Sequence, residues 1–297
     1  MTEIHAPALV SSPALSPAAS PREIAIRAEA IDTMAWIDQY EAAPPHIVEA
    51  LGLRKIQRGS LAMIGSRIPF SHFNMVLTLG CPAPVDANAF ETIEAFYRDG
   101  AGPHWIVVND HSQPADLDVQ LLARGYRAAG AWDRVILQGT PHQLWTAHAT
   151  GCERVDTANA AGWIAFIRDC YGMPPGIGDW LQALVGRKGW IHFLRREQGL
   201  PDAKIVMVRS AFIDDEGWCW LGIDAPVPGV MAPCFEDDQK VTAALLLAAA
   251  DAGARQFVSD IEAISDGRQG PGYAAWAALG FACSYRRRLF RHDCEPR

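Results

Sequence analysis

One order of elements occurs twice in this chain, and that repetition limits the fold more than any single motif does. The first copy opens on an apolar, β-rich run, Phe73–Leu79 (FNMVLTL), followed by a turn-rich segment to Asn88. A helical pattern over Ala89–Asp99 then carries Phe90, Ile93, Phe96 and Tyr97 on one face. A strand (Trp105–Val108), a helix (Asp116–Arg124) and a final strand (Trp132–Leu137) complete it. The second copy opens on Trp218–Ile223 (WCWLGI) and passes a Pro/Gly loop to a helix, Asp238–Ala252. Strand Gln256–Ile261, helix Pro271–Leu279 and strand Ser284–Phe290 follow. In both copies a glycine and an aromatic residue end the second helix, Gly125-Tyr126 and Gly280-Phe281. Glycine accepts the left-handed helix stop, and the aromatic behind it can pack under a sheet.

Further elements precede the second copy. Cys152–Asp156 reads as a strand, Ala160–Tyr171 and Gly178–Val185 as helices, and Trp190–Arg196 with Ile205–Ile213 as a hairpin. The full order is β-α-α-β-β-β-α-β-α-β. Alternation of this kind predicts an α/β (α+β mixed sheet) fold with a central mixed sheet flanked by helices. The length of 297 residues is about twice the ~150 expected of one domain. It divides into a leader (1–21), an N-terminal unit (22–145) and a C-terminal unit (146–297). Pro7, Pro13, Pro17 and Pro21 interrupt the leader and predict disorder, and Glu3 stands before any basic residue, unlike a secretory signal.

Charge and cysteine usage narrow the function classes. Lys+Arg 26 against Asp+Glu 34 leaves a net charge of −8, which argues against nucleic-acid and anionic-membrane partners. The seven cysteines are scattered without a C-x-x-C, so neither a disulfide framework nor a zinc ribbon is expected, and a reducing cytoplasm fits. No apolar run approaches the ~20 residues of a membrane helix. No H-E-x-x-H, Walker A or G-x-S-x-G motif is present, and His104 and His111 stand alone, so no metal is expected.

The element order, closing on Leu279-Gly280-Phe281, resembles the GNAT superfamily of acyl-CoA-dependent N-acyltransferases. The likeness covers Cys152–Arg291, and Ala28–Leu137 resembles the degenerate N-terminal repeat of tandem GNAT proteins. It implies a strand that splays from its neighbour, so that free backbone groups pair with the pantetheine amides of acetyl-CoA or another acyl-CoA. The backbone of Ile223 and Ala225 would do this. It also implies a pyrophosphate cradle at the next helix start. The matching stretch is Gln239, Lys240, Val241, Thr242, Ala243 and Ala244, in which Thr242 replaces the family's central glycine. Glu236, Asp237 and Asp238 stand just before it and are expected to cap the helix themselves, with Lys240 as local compensation.

Catalytic roles follow from the same resemblance. Asp224, at the end of WCWLGI, matches the family's general base, and its competing role is to open the Pro226 turn. The family's acidic tyrosine is Trp276 here, which leaves Tyr273, one turn earlier, as substitute or as a packing residue. Trp190, Trp218 and Trp220 could floor an acceptor pocket or pack the core, and His72 and Asn74 could line a pocket between the halves. Arg286, Arg287, Arg288 and Arg291 read as charge protection of an edge strand. The implied reaction is transfer of an acyl group from acyl-CoA to a small-molecule amine. The rival readings are a non-catalytic GNAT-like binding module and an aminoacyl-tRNA-dependent transferase. A homodimer is left open by the sequence.

Overall fold

Helix α1 (Pro21–Ala42) begins at the last residue of the expected leader. Ser20 accepts from the Glu23 amide while the Glu23 carboxylate accepts from the Ser20 amide, a capping box, and Pro21 suits the first helical position. In the computed structural model the described residues are 19–58, 61–98, 103–197, 203–226, 234–263 and 272–293. Most of the leader therefore lies outside them. Beyond α1 the first half contains α2 (Pro45–Leu51), the hairpin β1 (Arg54–Arg58) and β2 (Leu61–Gly65), and a 3-10 turn (Ser71–Phe73). It continues with β3 (Met75–Thr78), α3 (Ala89–Tyr97), β4 (His104–Asn109), α4 (Leu117–Ala123) and β5 (Arg127–Gln138).

The second half runs α5 (His142–His148), β6 (Cys152–Arg154), α6 (Ala160–Tyr171), α7 (Ile177–Gln182), β7 (Trp190–Arg196) and β8 (Ile205–Ile213). It ends with β9 (Trp218–Pro226), α8 (Phe235–Asp251), β10 (Gln256–Glu262), α9 (Tyr273–Ala277) and β11 (Ala282–His292). Strands β7 and β8 and helix α6 have the bounds that alternation and helical spacing predict. α1, α5 and the β1–β2 hairpin were not anticipated.

Among the described residues eleven strands form one mixed sheet, in the order β1-β2-β3-β4-β11-β5-β10-β9-β8-β7-β6. The order shows a strand exchange. β11, last in the second half, pairs with β4 of the first (Arg287 opposite Asn109, His292 opposite His104). β5, last in the first half, pairs with β10 of the second (Gln256 opposite Gln138, Glu262 opposite Trp132). Each half thus supplies the strand that completes the other. Helices α1, α2, α6 and α7 cover one face over a core that crosses both halves. On the other face α5, α8 and α9 pack on the second half, and α3 and α4 on the first.

The exchange corrects the reading of the arginine cluster. β11 is central, so Arg286–Arg288 do not guard an edge. Arg287 is 2% exposed, and with Arg134 of β5 (0%) it enters a buried cluster with Glu29 and Asp32 of α1 and Asp260 of β10. Asp32 lies 2.7 Å from each guanidinium. Asp260 bridges them from the other side at 3.2 Å (Arg134) and 2.5 Å (Arg287), and Glu29 stands 3.1 Å from Arg287. The Tyr285 hydroxyl donates to Glu29 at 2.8 Å. Burial alone would raise the Asp32 pKa, but Arg287 and Arg134 outweigh it and hold the carboxyl below its ordinary 3.8. Arg286 pairs with Asp133, and Arg288 with Asp110 and Asp118.

Removing one partner of a buried ion cluster strands the others without solvent. Arg287→Met is therefore expected to cost about 3–5 kcal/mol, read by denaturant unfolding as one transition for both halves. Asp32 has a depressed folded pKa, so its contribution is complete above the ordinary 3.8 and is lost as the pH falls through the folded value. The stability gap between the native chain and Asp32→Asn should accordingly narrow in acid.

Candidate functional site

The parallel ladder between β9 and β10 pairs Trp218, Cys219 and Trp220 with Gln256, Phe257 and Val258, and stops there. β9 runs on to Pro226 while β10 stays with β5 to Glu262, so the two strands part. The Ser259 hydroxyl closes the inner end of the opening by donating to the Leu221 carbonyl at 3.1 Å. A bulge turns β9 away. Across β8, Ser210 faces Gly222 but Val208 faces Ala225, leaving one extra residue in β9. Ile223 takes it up at φ 44, a region that a β-branched side chain rarely enters. A Cβ on Gly222 would run into the Trp220 ring.

Asp224 stands at the lip of this opening with 48% of its side chain exposed and its carboxylate 3.7 Å from Arg209. The Tyr171 hydroxyl, from the end of α6, donates to the Asp224 carbonyl. Burial, with Asp224 nearby, pushes the Tyr171 pKa up, so this hydroxyl keeps its proton.

Helix α8 starts at Phe235, one turn before Gln239. The amides of Gln239–Ala244 are therefore spent on helical hydrogen bonds, and Val241, Thr242, Ala243 and Ala244 are buried. The first-turn amides, which helix geometry leaves without a partner inside the helix, belong to Phe235, Glu236 and Asp237, which moves the expected cradle back by a turn. The expected acidic self-capping is also corrected. No side chain among the described residues caps α8. Glu236 pairs instead with Lys240, Asp237 with Arg195 of β7 at 2.6 Å, and Asp238 with Arg209 of β8 at 2.6 Å. Three carboxylates meet three cations, so the helix start is electrically balanced and its amides fit an anion better than the bare sequence suggested. Trp276 packs its ring 4.9 Å from the Arg209 guanidinium, and Gln239 donates to the Ala275 carbonyl at 3.3 Å.

The matching place in the first half is closed. β3 and β4 pair only through Met75–Trp105 and Val76–Ile106 before parting. Ser112 then donates to Leu79 (2.8 Å), the Gln113 amide to Gly80 (2.9 Å) and Arg22 to Cys81 (3.0 Å). Gly80 has φ 77, and a Cβ there would lie 2.5 Å from the Gln113 carbonyl. The chain's own loop thus fills the gap where a ligand arm would pair.

The remaining expected site residues separate. Asn74 is buried and holds its loop, accepting from Ser66 (2.7 Å) and donating to Ile68 (2.9 Å) and Phe70 (3.2 Å). That loop presents His72, which is exposed, 4.6 Å from the Trp105 ring and 5.7 Å from the Trp132 ring. The packing around it lowers the His72 pKa, and the field of Asp224 partly offsets this. Trp190, Trp218 and Trp220 are 4%, 3% and 6% exposed, a layer beneath the surface rather than a pocket floor. Tyr273 packs half-buried on the α8 face of the sheet.

Tyr171, Arg195 and Arg209 carried no spacing signal because they reach the site from separate elements. Among the described residues no cluster of metal-ligating side chains is found, and no helix is long and apolar enough to cross a membrane. Asp238→Ala would leave Arg209 buried without its closest carboxylate and is expected to cost about 3–5 kcal/mol. Asp237→Ala, at a more open pair, should cost about 1 kcal/mol in the same denaturation experiment.

No family model matches the chain, and no curated protein matches it by sequence. Solved structures do match. A GCN5-related N-acetyltransferase from Kribbella flavida superimposes with a TM-score of 0.58 at 13% identity, over 92% of this chain and 96% of that one. A tandem GNAT protein from the clavulanic acid biosynthesis pathway gives 0.51 at 14% identity, over 94% and 98%. A functionally unknown conserved protein from Staphylococcus epidermidis gives 0.52 at 8% identity, over 82% and 96%. With its parted β9 and β10, its strand exchange and these superpositions over almost the whole length, the chain has the fold of the GNAT superfamily in its tandem form.

Proposed function

We propose that the chain is an acyltransferase whose C-terminal unit moves an acyl group, acetyl in the simplest case, from an acyl-CoA to the amine of a small molecule. The observation that carries this reading is the contrast between the two parted strand pairs. One is filled by Ser112 and Gln113, and the other is held open by the Ile223 bulge with a half-exposed carboxylate at its lip. Bound acyl-CoA would supply a thioester carbon open to attack by an amine. The β9 edge beyond Leu221 would hold the pantetheine arm by sheet-like hydrogen bonds, and the amides at Phe235–Asp237 would face the diphosphate.

Asp224 receives the proton that the ammonium must lose before its nitrogen can attack. The amide bond forms as the C–S bond breaks, and the departing sulfur takes a proton. The Tyr171 hydroxyl, which donates to the Asp224 carbonyl, replaces Tyr273 as the candidate donor, since Tyr273 packs under α8. No covalent intermediate on the protein is needed when both substrates are held together. The paired acidic turn of α8 favours one other reading, a GNAT-fold binding module without turnover.

Calorimetry with acetyl-CoA separates the two. The expected result is micromolar-range binding, with Asp224→Asn lowering kcat by roughly 10²–10⁴ and leaving that affinity unchanged. No binding at millimolar acetyl-CoA overturns the acyl-CoA reading.

A further inference from the structure

Five side chains of the first half form a partly exposed aromatic wall at the end of the sheet where β9 leaves β10: Trp132 stands opposite Glu262, beyond the last β9–β10 pair at Trp220 and Val258. Trp36 of α1 lies 6.1 Å from Phe73, and His72, next in the chain, lies 4.6 Å from Trp105 of β4. Trp105 lies 5.7 Å from Trp132 of β5 in an edge-to-face arrangement. Trp36, Phe73, Trp105 and Trp132 are each half-buried, against the nearly complete burial of Trp190 and Trp220 behind them. Trp36 rests on Trp220 at 6.1 Å, and the Arg287 guanidinium stands 5.6 Å from Trp132, so the wall is braced by both the core and the buried ion cluster. Partly exposed rings gathered this way leave apolar area that water covers poorly.

The cations next to the wall are already engaged: Arg291, opposite Trp105 on β11, pairs with Asp293 at 2.7 Å. Asp224 is half exposed, while Arg209, its nearest cation, is 5% exposed and already engaged by Asp238 at 2.6 Å. His72 is held toward its neutral form by its crowded setting. The exposed charges at this end of the sheet, Asp224 and Glu262 (opposite Trp132), are carboxylates, which pair with a cation and not with an anion. A ring face attracts a cation as well.

Resting on the acyl-transfer reading, we infer that the acceptor is an arylalkyl primary amine whose ring lies on the Trp36–Phe73–Trp105–Trp132 wall and whose ammonium meets Asp224. The first half is then retained for substrate selection: its own strand gap is filled, yet it supplies every ring of the wall. Hydrophilic amines such as polyamines or amino sugars would leave the rings uncovered and gain little from them.

The test uses the native full chain and calorimetric binding of 2-phenylethylamine, ethylamine, 2-phenylethanol and spermidine, with and without acetyl-CoA. The expected order places 2-phenylethylamine tightest, by roughly tenfold or more over ethylamine (which lacks the ring) and over 2-phenylethanol (which lacks the charge). Trp105→Leu should weaken 2-phenylethylamine by about tenfold. It should also raise the KM in thiol-release assays and leave acetyl-CoA affinity unchanged. Spermidine or ethylamine binding as tightly as 2-phenylethylamine overturns the proposal, as does equal binding of 2-phenylethanol. Should acetyl-CoA fail to bind while the ring-and-charge preference persists, the acyl-CoA reading falls and the pocket assignment stands. If Trp105→Leu does not fold, the four-ligand comparison on the native chain decides alone.

Discussion

Two almost fully buried guanidiniums, Arg134 and Arg287, hold this structure at its middle. They sit on the two exchanged strands, β5 and β11, and their carboxylate partners come from α1 and β10. Neither half can bury its arginine without the other half's carboxylates or strand. Buried charge is costly unless every member is matched, so the cluster selects one register for β5 against β11. A slip by one residue would turn Arg287 to the opposite face. The two units consequently share one continuous sheet, and helix α1 is tied to it through Glu29 and Asp32.

With the exchange in place, the two copies could diverge. Both keep the parted strands typical of their fold. In the first, Gly80 lets the loop at Gln113 approach within hydrogen-bond distance and close the gap. In the second, the extra residue at Ile223 bends β9 away and exposes Asp224. The same backbone geometry thus serves packing in one half and is left open in the other. The α8 start shows a related device. Its acidic turn would repel a diphosphate if unpaired, but Arg195, Arg209 and Lys240 balance it from three positions.

Legibility in the sequence followed the range of each interaction. The hairpin β7–β8 and helix α6 were readable because alternation and helical spacing are local. α1 was not, since its buried face mixes Ala25, Ala28 and Ile31 with Glu29 and Asp32, which blurs the apolar stripe. Asp224 could be placed at the end of a strand from its spacing alone. Its surroundings could not, because Tyr171 and Arg209 reach it from α6 and β8, separate elements of the second half. The start of α8 was misplaced by one turn, because three acidic residues resemble a cap when their partners Lys240, Arg195 and Arg209 are unseen.

By itself the sequence determined the alternation of strands and helices, the doubled unit, its glycine-aromatic helix ends, and the likeness to the GNAT order. All of these depend on residues within a few positions of one another. Only the tertiary structure decided that β5 and β11 change places, which made a supposed edge of arginines the buried centre. It also decided which strand gap stays open and that the first half furnishes the aromatic wall. These outcomes depend on charges and rings brought together from positions far apart in the chain, and no local pattern records such meetings.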